Sequence, residues 1–548
     1  MMVRRAWLVA VLFVLVVGLL GATGQMEAEG RADDGDDVIT VTTVDNVGGS
    51  IRYYGGDTTE SNAFTEYLRE ELGIDVEYLW IMQGSGSDYE QKLNLSVLSG
   101  EVPDYFGISN VTMYRDFAEA GHLLEVKPTF DRLANDYFKN RINVQDNVLW
   151  DATEVDGKNY SIPQPKFLYQ DNKSLWIRQD WLDALDLEAP RTIEEMYEVA
   201  RAFTFDDPDG NGQDDTTGFG FDNSIMSWMA SLDPFFGAYG AMPGTWLKGI
   251  WVEGDDGELV YPLFEGDAKA ALAELNTWYE EGIVNVDFVT QNEQALAQMV
   301  GAGTLGMYYG SPWNPDWPHP DTFNNVADAE WKSYPLPEGP NGDAKSFNTP
   351  IVGGPGRVFG SQFEHLDRII EYFNTRFETI RTPGPGVLES EYALGKYFQV
   401  DDQGRVVPMP DREFQLAWSL NNPFRYTEMV EYYDQGWPDR LDEAFDEVPY
   451  EIYRDLQIFQ NKPEYINALR NVVESADDAF TDQFQAAVPG PVHERVWGFL
   501  RDLEVETISK IIMGELPVSA FDDFEDEWRE AGGEELAAEV NEWWSSIQ

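Results

Sequence analysis

The chain has 548 residues, 43% hydrophobic and 14% aromatic, with 18 Trp, no Cys and a formal charge of −62 from 99 acidic and 37 basic side chains. That length is too great for one small core and points to two domains or two large lobes. The charge argues against nucleic acid and anionic membranes as partners, and the lack of cysteine excludes disulfides, thiolate metal sites and an acylated Cys.

Arg4 and Arg5 precede an apolar run over residues 6–20, and Ala22-Thr23-Gly24 follows as a small-x-small cleavage site. This predicts a secretory signal peptide over residues 1–24, the run being short for a membrane span; an uncleaved anchor is the alternative. Residues 25–37, acidic and Gly-rich, read as a flexible leader. The acids are spread along the chain, so carboxylate pairs will occur by chance. The expected product is exported, periplasmic or extracellular, with no stable membrane insertion.

Residues 38–42 read as a strand and 59–72 as a helix, with Phe64, Tyr67, Leu68 and Leu72 on one face and Gly73 as the stop. Residues 74–78 alternate as a second strand, 89–98 form a second helix, and 103–108 a third strand. This β-α-β-α-β order predicts a parallel sheet flanked by helices, with ligands gathering beyond the carboxyl ends of its strands. Tyr53 and Asn110 stand at such ends. A helix over 113–120 follows, and the turn and strand over 155–163 lead out of the first lobe.

Residues 175–178 form a strand. Thr192 caps a helix running through Phe203, with Glu195 completing a capping box. Next comes Asp207-Pro208-Asp209-Gly210-Asn211-Gly212-Gln213-Asp214-Asp215. Oxygen side chains recur at every second residue and a glycine follows, as in the front half of a calcium loop. Asp207, Asp209, Asn211, the Gln213 backbone carbonyl and Asp215 are the expected ligands. The bidentate Glu of an EF-hand is missing, Gly218 standing in its place, so the reading is one structural calcium ion pinning a loop.

Helices follow over 267–281 and 291–300, then a strand over 305–309. Residues 310–318, with three Pro, cannot be regular structure and form a loop carrying two Trp at a strand's end. A Pro/Gly-rich crossing segment spans 335–355, and 363–377, 441–459, 465–484 and 492–513 read as helices. Ser519 caps a terminal helical region.

Several stretches carry a resemblance: Ser99-Gly100-Glu101-Val102-Pro103-Asp104-Tyr105-Phe106, Tyr160-Ser161-Ile162-Pro163-Gln164, Leu175-Trp176-Ile177-Arg178-Gln179-Asp180-Trp181-Leu182 through the 207–215 loop, Trp278-Tyr279-Glu280-Glu281-Gly282-Ile283-Val284, and Lys510-Ile511-Ile512-Met513-Gly514-Glu515-Leu516-Pro517. The chain resembles the family 1 extracellular solute-binding proteins of bacterial ABC importers, in the LplA-like branch near the alginate-oligosaccharide binders. The resemblance implies an α/β, two-lobed periplasmic-binding-protein fold (type II-like), each lobe a mostly parallel sheet flanked by helices, joined by a multi-strand hinge. It implies a carbohydrate gripped between the lobes, delivery to ABC importer permease subunits, no catalysis, and a monomer. It also implies the calcium site at 207–215, although Thr216 stands where alginate binders have a further acidic ligand. Many relatives carry a lipobox Cys; Leu20-Gly21-Ala22-Thr23 has none, so no lipid anchor is expected. The lobes are expected at residues 38–160 with about 335–410, and 161–334 with about 411–548.

Sugars offer apolar C–H faces and a ring of hydroxyls, which aromatic plates and planar polar groups answer. Trp313 and Trp317 are the leading candidates, with Asn314 and Asp316 between them as hydroxyl acceptors. Tyr308 and Tyr309 alternate on a strand, so one is expected to face the cleft. Trp228 follows the calcium loop. Tyr53, Asn110 and Tyr169 are added on position, while Trp278 belongs on a core-facing helix stripe. Each Trp also fits a plug on the lobe surface. None of His122, His319, His365 and His493 pairs at metal spacing, and no nucleophile-elbow, phosphate-loop or zinc-helix motif occurs. The alternatives are a secreted glycoside hydrolase with paired carboxylates and an adhesive or scaffolding surface protein.

Overall fold

Two sheets organise the chain. The first contains β1 (Ile39–Asn46), β2 (Ile74–Met82), β3 (Tyr105–Ile108), β4 (Ser161–Ile162) and, much later, β9 (Gly356–Phe359), in the order β2-β1-β3-β9-β4. The second contains β5 (Ser174–Arg178), β6 (Thr217–Phe219), β7 (Leu305–Gly310) and β8 (Trp331–Tyr334), in the order β8-β5-β7-β6. These come from a computed structural model that describes residues 38–47, 52–246, 248–409, 412, 418–460 and 462–547. The signal peptide and the acidic leader lie outside the described residues. Thr40–Gln548 is one unit and Met1–Ile39 another, and of the latter only Val38 and Ile39 are described. No helix among the described residues is long and apolar enough to cross a membrane.

The expected mostly parallel sheets are instead mixed. β1 and β3 pair parallel, Thr43 opposite Tyr105, but β9 runs antiparallel to both β3 and β4. β7 is parallel to β6 and antiparallel to β5, and β8 is antiparallel to β5. The reason is connectivity: β9 returns from the second sheet without a crossover helix, so it enters beside β3 from the opposite end.

Local chemistry sets the helix ends. Asn62 Oδ1 accepts from the N–H groups of Phe64 and Thr65 at 3.0 and 3.1 Å, starting α1 (Ala63–Leu72), and Gly73 ends it at φ 61°. The residues expected as its first turn therefore form the cap. Thr192 caps α2 (Ile193–Phe205) by accepting the Glu195 N–H at 3.1 Å, while the Glu195 carboxylate reaches past the cap to the Arg191 N–H at 2.7 Å. Asp267 caps α3 (Ala268–Glu280), whose Ala271, Leu272, Leu275 and Trp278 are fully buried. Burial of such a large side chain stabilises by about 1.5–3 kcal/mol.

The helix expected over 441–459 breaks at Val448-Pro449, because proline disfavours helix in the residue before it. The one expected over 465–484 stops at Glu474, and Phe480–Thr481 instead pairs in parallel with Phe347–Asn348.

Three cores result. Val44, Leu93, Phe106, Tyr114 and Val358 fill one face of the first sheet. Phe219, Phe235, Trp278 and Tyr309 meet Leu500, Ile508 and Trp528 under the second. Tyr426, Tyr453, Phe459 and Tyr465 gather with Ala63, Tyr397 and Phe398 in a third.

The chain passes between the sheets along a paired track. Gln164 N donates to Gly354 O at 3.2 Å, Gly353 N to Gln164 O at 2.8 Å, and Lys166 N to Ile351 O at 2.8 Å. A Cβ on Gly353 would lie 2.6 Å from Gln164 O, so only glycine permits this approach. Beyond it, buried Asn172 accepts the Thr349 N–H at 2.8 Å and donates to Asn348 Oδ1 at 2.8 Å. The third passage joins through Gln485, whose Oε1 accepts the Ile351 N–H at 2.9 Å.

Candidate functional site

Apolar β1 ends in the polar pair Asp45-Asn46, and β3 ends at Ser109. Between these carboxyl ends opens a cavity of about 470 Å³. Tyr78, Tyr89, Tyr105 and Trp418 supply rings to its wall, and Asp45, Asn46, Gln164, Arg357 and Asn421 supply polar groups. Tyr105 and Trp418 have ring centroids 4.3 Å apart. Tyr89 donates to Gly107 O at 3.1 Å, which fixes its ring.

Arg357 lies along β3 because Gly107 has no side chain: a Cβ there would stand 2.9 Å from Arg357 Nη1. Its Nη2 donates to Ser419 O at 3.2 Å, and its Nε is buried without a partner. Burial raises the Asp45 carboxyl above the usual range, while the Asn46 N–H and the charge of Arg357 pull it down. Burial also raises the phenols of Tyr78 and Tyr89, so both stay neutral hydroxyls at neutral pH. The cavity thus offers a hydroxyl acceptor, a guanidinium donor, three side-chain amides and flat aromatic faces.

Asp45, Arg357, Trp418, Gln164 and Asn421 were not singled out in the sequence. The one signal was the polar pair closing β1. Arg357 and Trp418 come from segments far beyond Asp45 in sequence, Arg357 by the return of β9 and Trp418 from a later loop.

A second aromatic group lies at the carboxyl end of β7. Trp228 stands 5.1 Å from Trp313 and 5.6 Å from Trp317, ring to ring, and all three are half-buried. Ser311 Oγ donates to Trp228 O at 2.7 Å, tying the two loops together. Trp313 also packs against the third core, and its Nε1 is buried without a partner. The structure therefore brings together the three indoles expected at a ligand face. Between them Asp316 pairs with Lys462, while Asn314 is fully buried, its Nδ2 donating to Trp317 O at 3.2 Å and its Oδ1 left without a hydrogen-bond partner.

Tyr308 and Tyr309 correct the expectation that one faces the cleft. Both are fully buried, because β7 lies inside the sheet with both faces covered. Tyr308 OH is 2.7 Å from His319 Nε2, and Tyr309 OH points at Met196 Sδ at 3.4 Å. Burial holds the His319 imidazole neutral, pushed down to about 3. Asn110 is a helix cap, accepting the Met113 N–H at 2.9 Å and donating to Glu90 at 3.2 Å. Tyr53 is exposed and donates to Thr59 Oγ1 at 3.0 Å. Tyr169 is half-buried at φ 65° in the turn before β5.

In the 207–215 loop, Asn211 Nδ2 sits 2.7 Å from Asp209 Oδ2 and 3.2 Å from Asp215 Oδ1. Asp207 instead accepts the Gly212 N–H at 3.1 Å, and Gln213 N donates to Asn211 Oδ1 at 2.7 Å. Among the described residues no group of three or more His, Cys, Asp or Glu is set to hold a metal. The convergent set is two carboxylates and one amide. Turning that amide over would add its oxygen to the shared point at the cost of the Gln213 N–H bond, giving three of the six or more hard oxygens that Ca²⁺ takes.

The sequence profile of the family described as bacterial extracellular solute-binding protein matches residues 55–356. The polygalacturonan/rhamnogalacturonan-binding protein YtcQ of Bacillus subtilis (strain 168) is 26% identical over 310 residues, 55% of this chain and 56% of YtcQ. The fructooligosaccharide ABC transporter substrate-binding protein FusA of Streptococcus pneumoniae serotype 4 (strain ATCC BAA-334 / TIGR4) is 25% identical over 299 residues, 52% of each chain. The matched region thus spans about half the length of these two relatives. FusA solved with kestose superposes with a TM-score of 0.60 at 17% identity, covering 93% of this chain and 99% of FusA. The alginate-binding protein AlgQ2, solved without calcium ion, gives 0.58 at 16% identity, covering 93% and 98%. At these identities the likeness shows the two-lobed fold.

Proposed function

The chain belongs to the bacterial extracellular solute-binding protein family, and from that premise we propose that it is the exported carbohydrate receptor of an ABC importer. It grips an oligosaccharide between two lobes, one around each sheet, and hands it to the membrane permease without cleaving it. The observation that carries this reading is the cavity between β1 and β3, where Asp45, Asn46, Gln164, Arg357 and Asn421 face rings of Tyr78, Tyr89 and Trp418. Alternating hydroxyl partners and flat apolar faces are what a pyranose or furanose chain requires. The indoles of Trp228, Trp313 and Trp317 supply the opposing face. The relatives' printed ligands, polygalacturonan, rhamnogalacturonan and fructooligosaccharide, are all saccharides and support the class.

A hydrolase needs two carboxylates across the scissile bond. Among the described residues lining this cavity Asp45 is the one carboxylate. Partition of the third core also bears on the lobes. Its packing with Ala63, Tyr397 and Phe398 supports assigning residues 425–459 to the lobe of the first sheet rather than the second. We read the 207–215 loop as a calcium site with Asp207, Asp209, Asn211, Gln213 O and Asp215 as ligands; a FusA EF-hand mutant among the solved relatives supports the class of site. Export by a cleaved signal peptide, without lipidation, and a monomeric state complete the proposal.

The test is a thermal-shift and calorimetric screen of the purified chain against an oligosaccharide panel, paired with a reducing-end assay. Saturable binding without release of reducing ends is expected. Turnover of any bound saccharide overturns the receptor reading, as does a panel with no binder.

A further inference from the structure

The receptor reading leaves the charge of the saccharide open. The structure bears on it through a second cavity of about 320 Å³, which shares Trp418, Ser419 and Asn421 with the first as a common wall. The chain as a whole carries 37 basic against 99 acidic side chains. The lining of these two cavities reverses that ratio. Arg357 lines the first and Arg141, Arg376, Arg425 and Arg454 the second, against Asp45, Glu451 and Asp455.

Three of these guanidinium groups are matched internally. Arg141 meets Glu451 at 2.6 Å, Arg376 meets fully buried Glu389 at 2.7 Å, and Arg425 meets Asp455 at 2.7 Å. Arg357 and Arg454 form no ion pair among the described residues, and the Nε of each is buried without a hydrogen-bond partner. An unmatched, partly desolvated guanidinium is costly, and an incoming anion offsets that cost. Its planar fork fits the paired oxygens of a carboxylate or sulfate. The net charge of the whole chain does not oppose this, because exposed charges beyond about 8 Å are largely screened at physiological salt.

Resting on the receptor reading above, we propose that the two cavities take an anionic oligosaccharide, its rings against Tyr89 and Trp418 and its carboxylate or sulfate groups answering Arg357 and Arg454. A uronate and a sulfate ester share this chemistry.

The test is titration calorimetry of the full chain with trigalacturonate, galactotriose and sulfated galactotriose, each at low and high salt, beside a panel of neutral glucan and fructan oligosaccharides. At least one anionic trisaccharide is expected to bind about tenfold or more tighter than galactotriose, a factor that one charged hydrogen bond supplies. That advantage shrinks at high salt, and the tighter of the two acids identifies carboxylate or sulfate as the group read. Arg357→Gln and Arg454→Gln each reduce the advantage, while Arg454→Lys keeps part of it, separating charge from packing. Equal or tighter binding of galactotriose, or binding confined to the neutral panel, overturns the anionic assignment and leaves a neutral-sugar receptor. Absence of binding to every saccharide overturns the receptor reading itself, a different and distinguishable result.

Discussion

Tyr261 donates its phenolic hydrogen to Glu504 Oε2 at 2.6 Å, deep in the core under the second sheet. The other oxygen, Oε1, accepts the Gly244 N–H at 3.0 Å, and among the described residues no cation pairs with the carboxylate. Burial pushes the Glu504 carboxyl up from its ordinary 4.5 to about 7. Folded Glu504 therefore holds its proton more tightly than the unfolded chain does. Its contribution is fully present below pH 4.5 and is lost as pH rises through 7, by about 3 kcal/mol in total. Glu504→Gln copies the protonated form, with the amide donating to Tyr261 and its oxygen accepting from Gly244. The variant is expected to melt higher than wild type at pH 8 and to lose much of the wild-type fall in Tm between pH 5 and 8. Parallel melting profiles for the two proteins would refute the assignment.

Tyr308 and His319 make the opposite kind of prediction. Their 2.7 Å contact is fully buried, and the imidazole lies flat on Trp331 with ring centroids 5.0 Å apart. Tyr308→Phe leaves a buried nitrogen unpaired and is expected to cost about 1–3 kcal/mol of stability. Saccharide affinity should not change, because Tyr308 does not reach the cleft. A selective loss of binding with an unchanged melt would return Tyr308 to the ligand face.

The indole cluster should behave in the reverse way. Trp228→Ala removes a half-buried ring that meets both Trp313 and Trp317 at tilted angles. Affinity for the best saccharide is expected to fall about 10- to 30-fold, the range of an aromatic hot spot. Titration calorimetry reads this directly. Full affinity in Trp228→Ala would mean that the cluster only plugs the lobe surface.

The acidic loop is tested by chelation. If Ca²⁺ occupies Asp209, Asn211 and Asp215, EDTA should lower Tm, and saturating Ca²⁺ at 100 times its dissociation constant should restore about 2.7 kcal/mol. Asp209→Ala should melt like the chelated wild type and show no response to Ca²⁺. A wild-type melt indifferent to EDTA would remove the ion from the account.

Much of the fold was legible in the sequence where local chemistry decides it. Thr192 caps the helix expected of it, although Ser519 makes no capping hydrogen bond, and the buried stripe of Ala271, Leu272, Leu275 and Trp278 follows helical periodicity. Gln403-Gly404 turns a hairpin between Phe398–Val400 and Val406–Pro408. What could not be read was set by long-range pairing. Tyr308 and Tyr309 looked like one inward and one outward residue, but alternation says nothing about whether a sheet is covered on both faces. Arg357 and Asp45 meet only because β9 returns to the first sheet beside β3. That Trp313 and Trp317 lie in a loop was within reach of sequence reasoning, because three prolines interrupt residues 312–318; that Trp228 joins them was not.

The paired passages at Gln164 and Gly353 have a mechanical consequence. Two connectors that are hydrogen-bonded to each other cannot slide independently; they can only bend together. Any movement of the two sheets that bends one passage must therefore bend its neighbour as well. A displacement that starts at one connector is thus carried to the other through three backbone hydrogen bonds rather than absorbed by either alone.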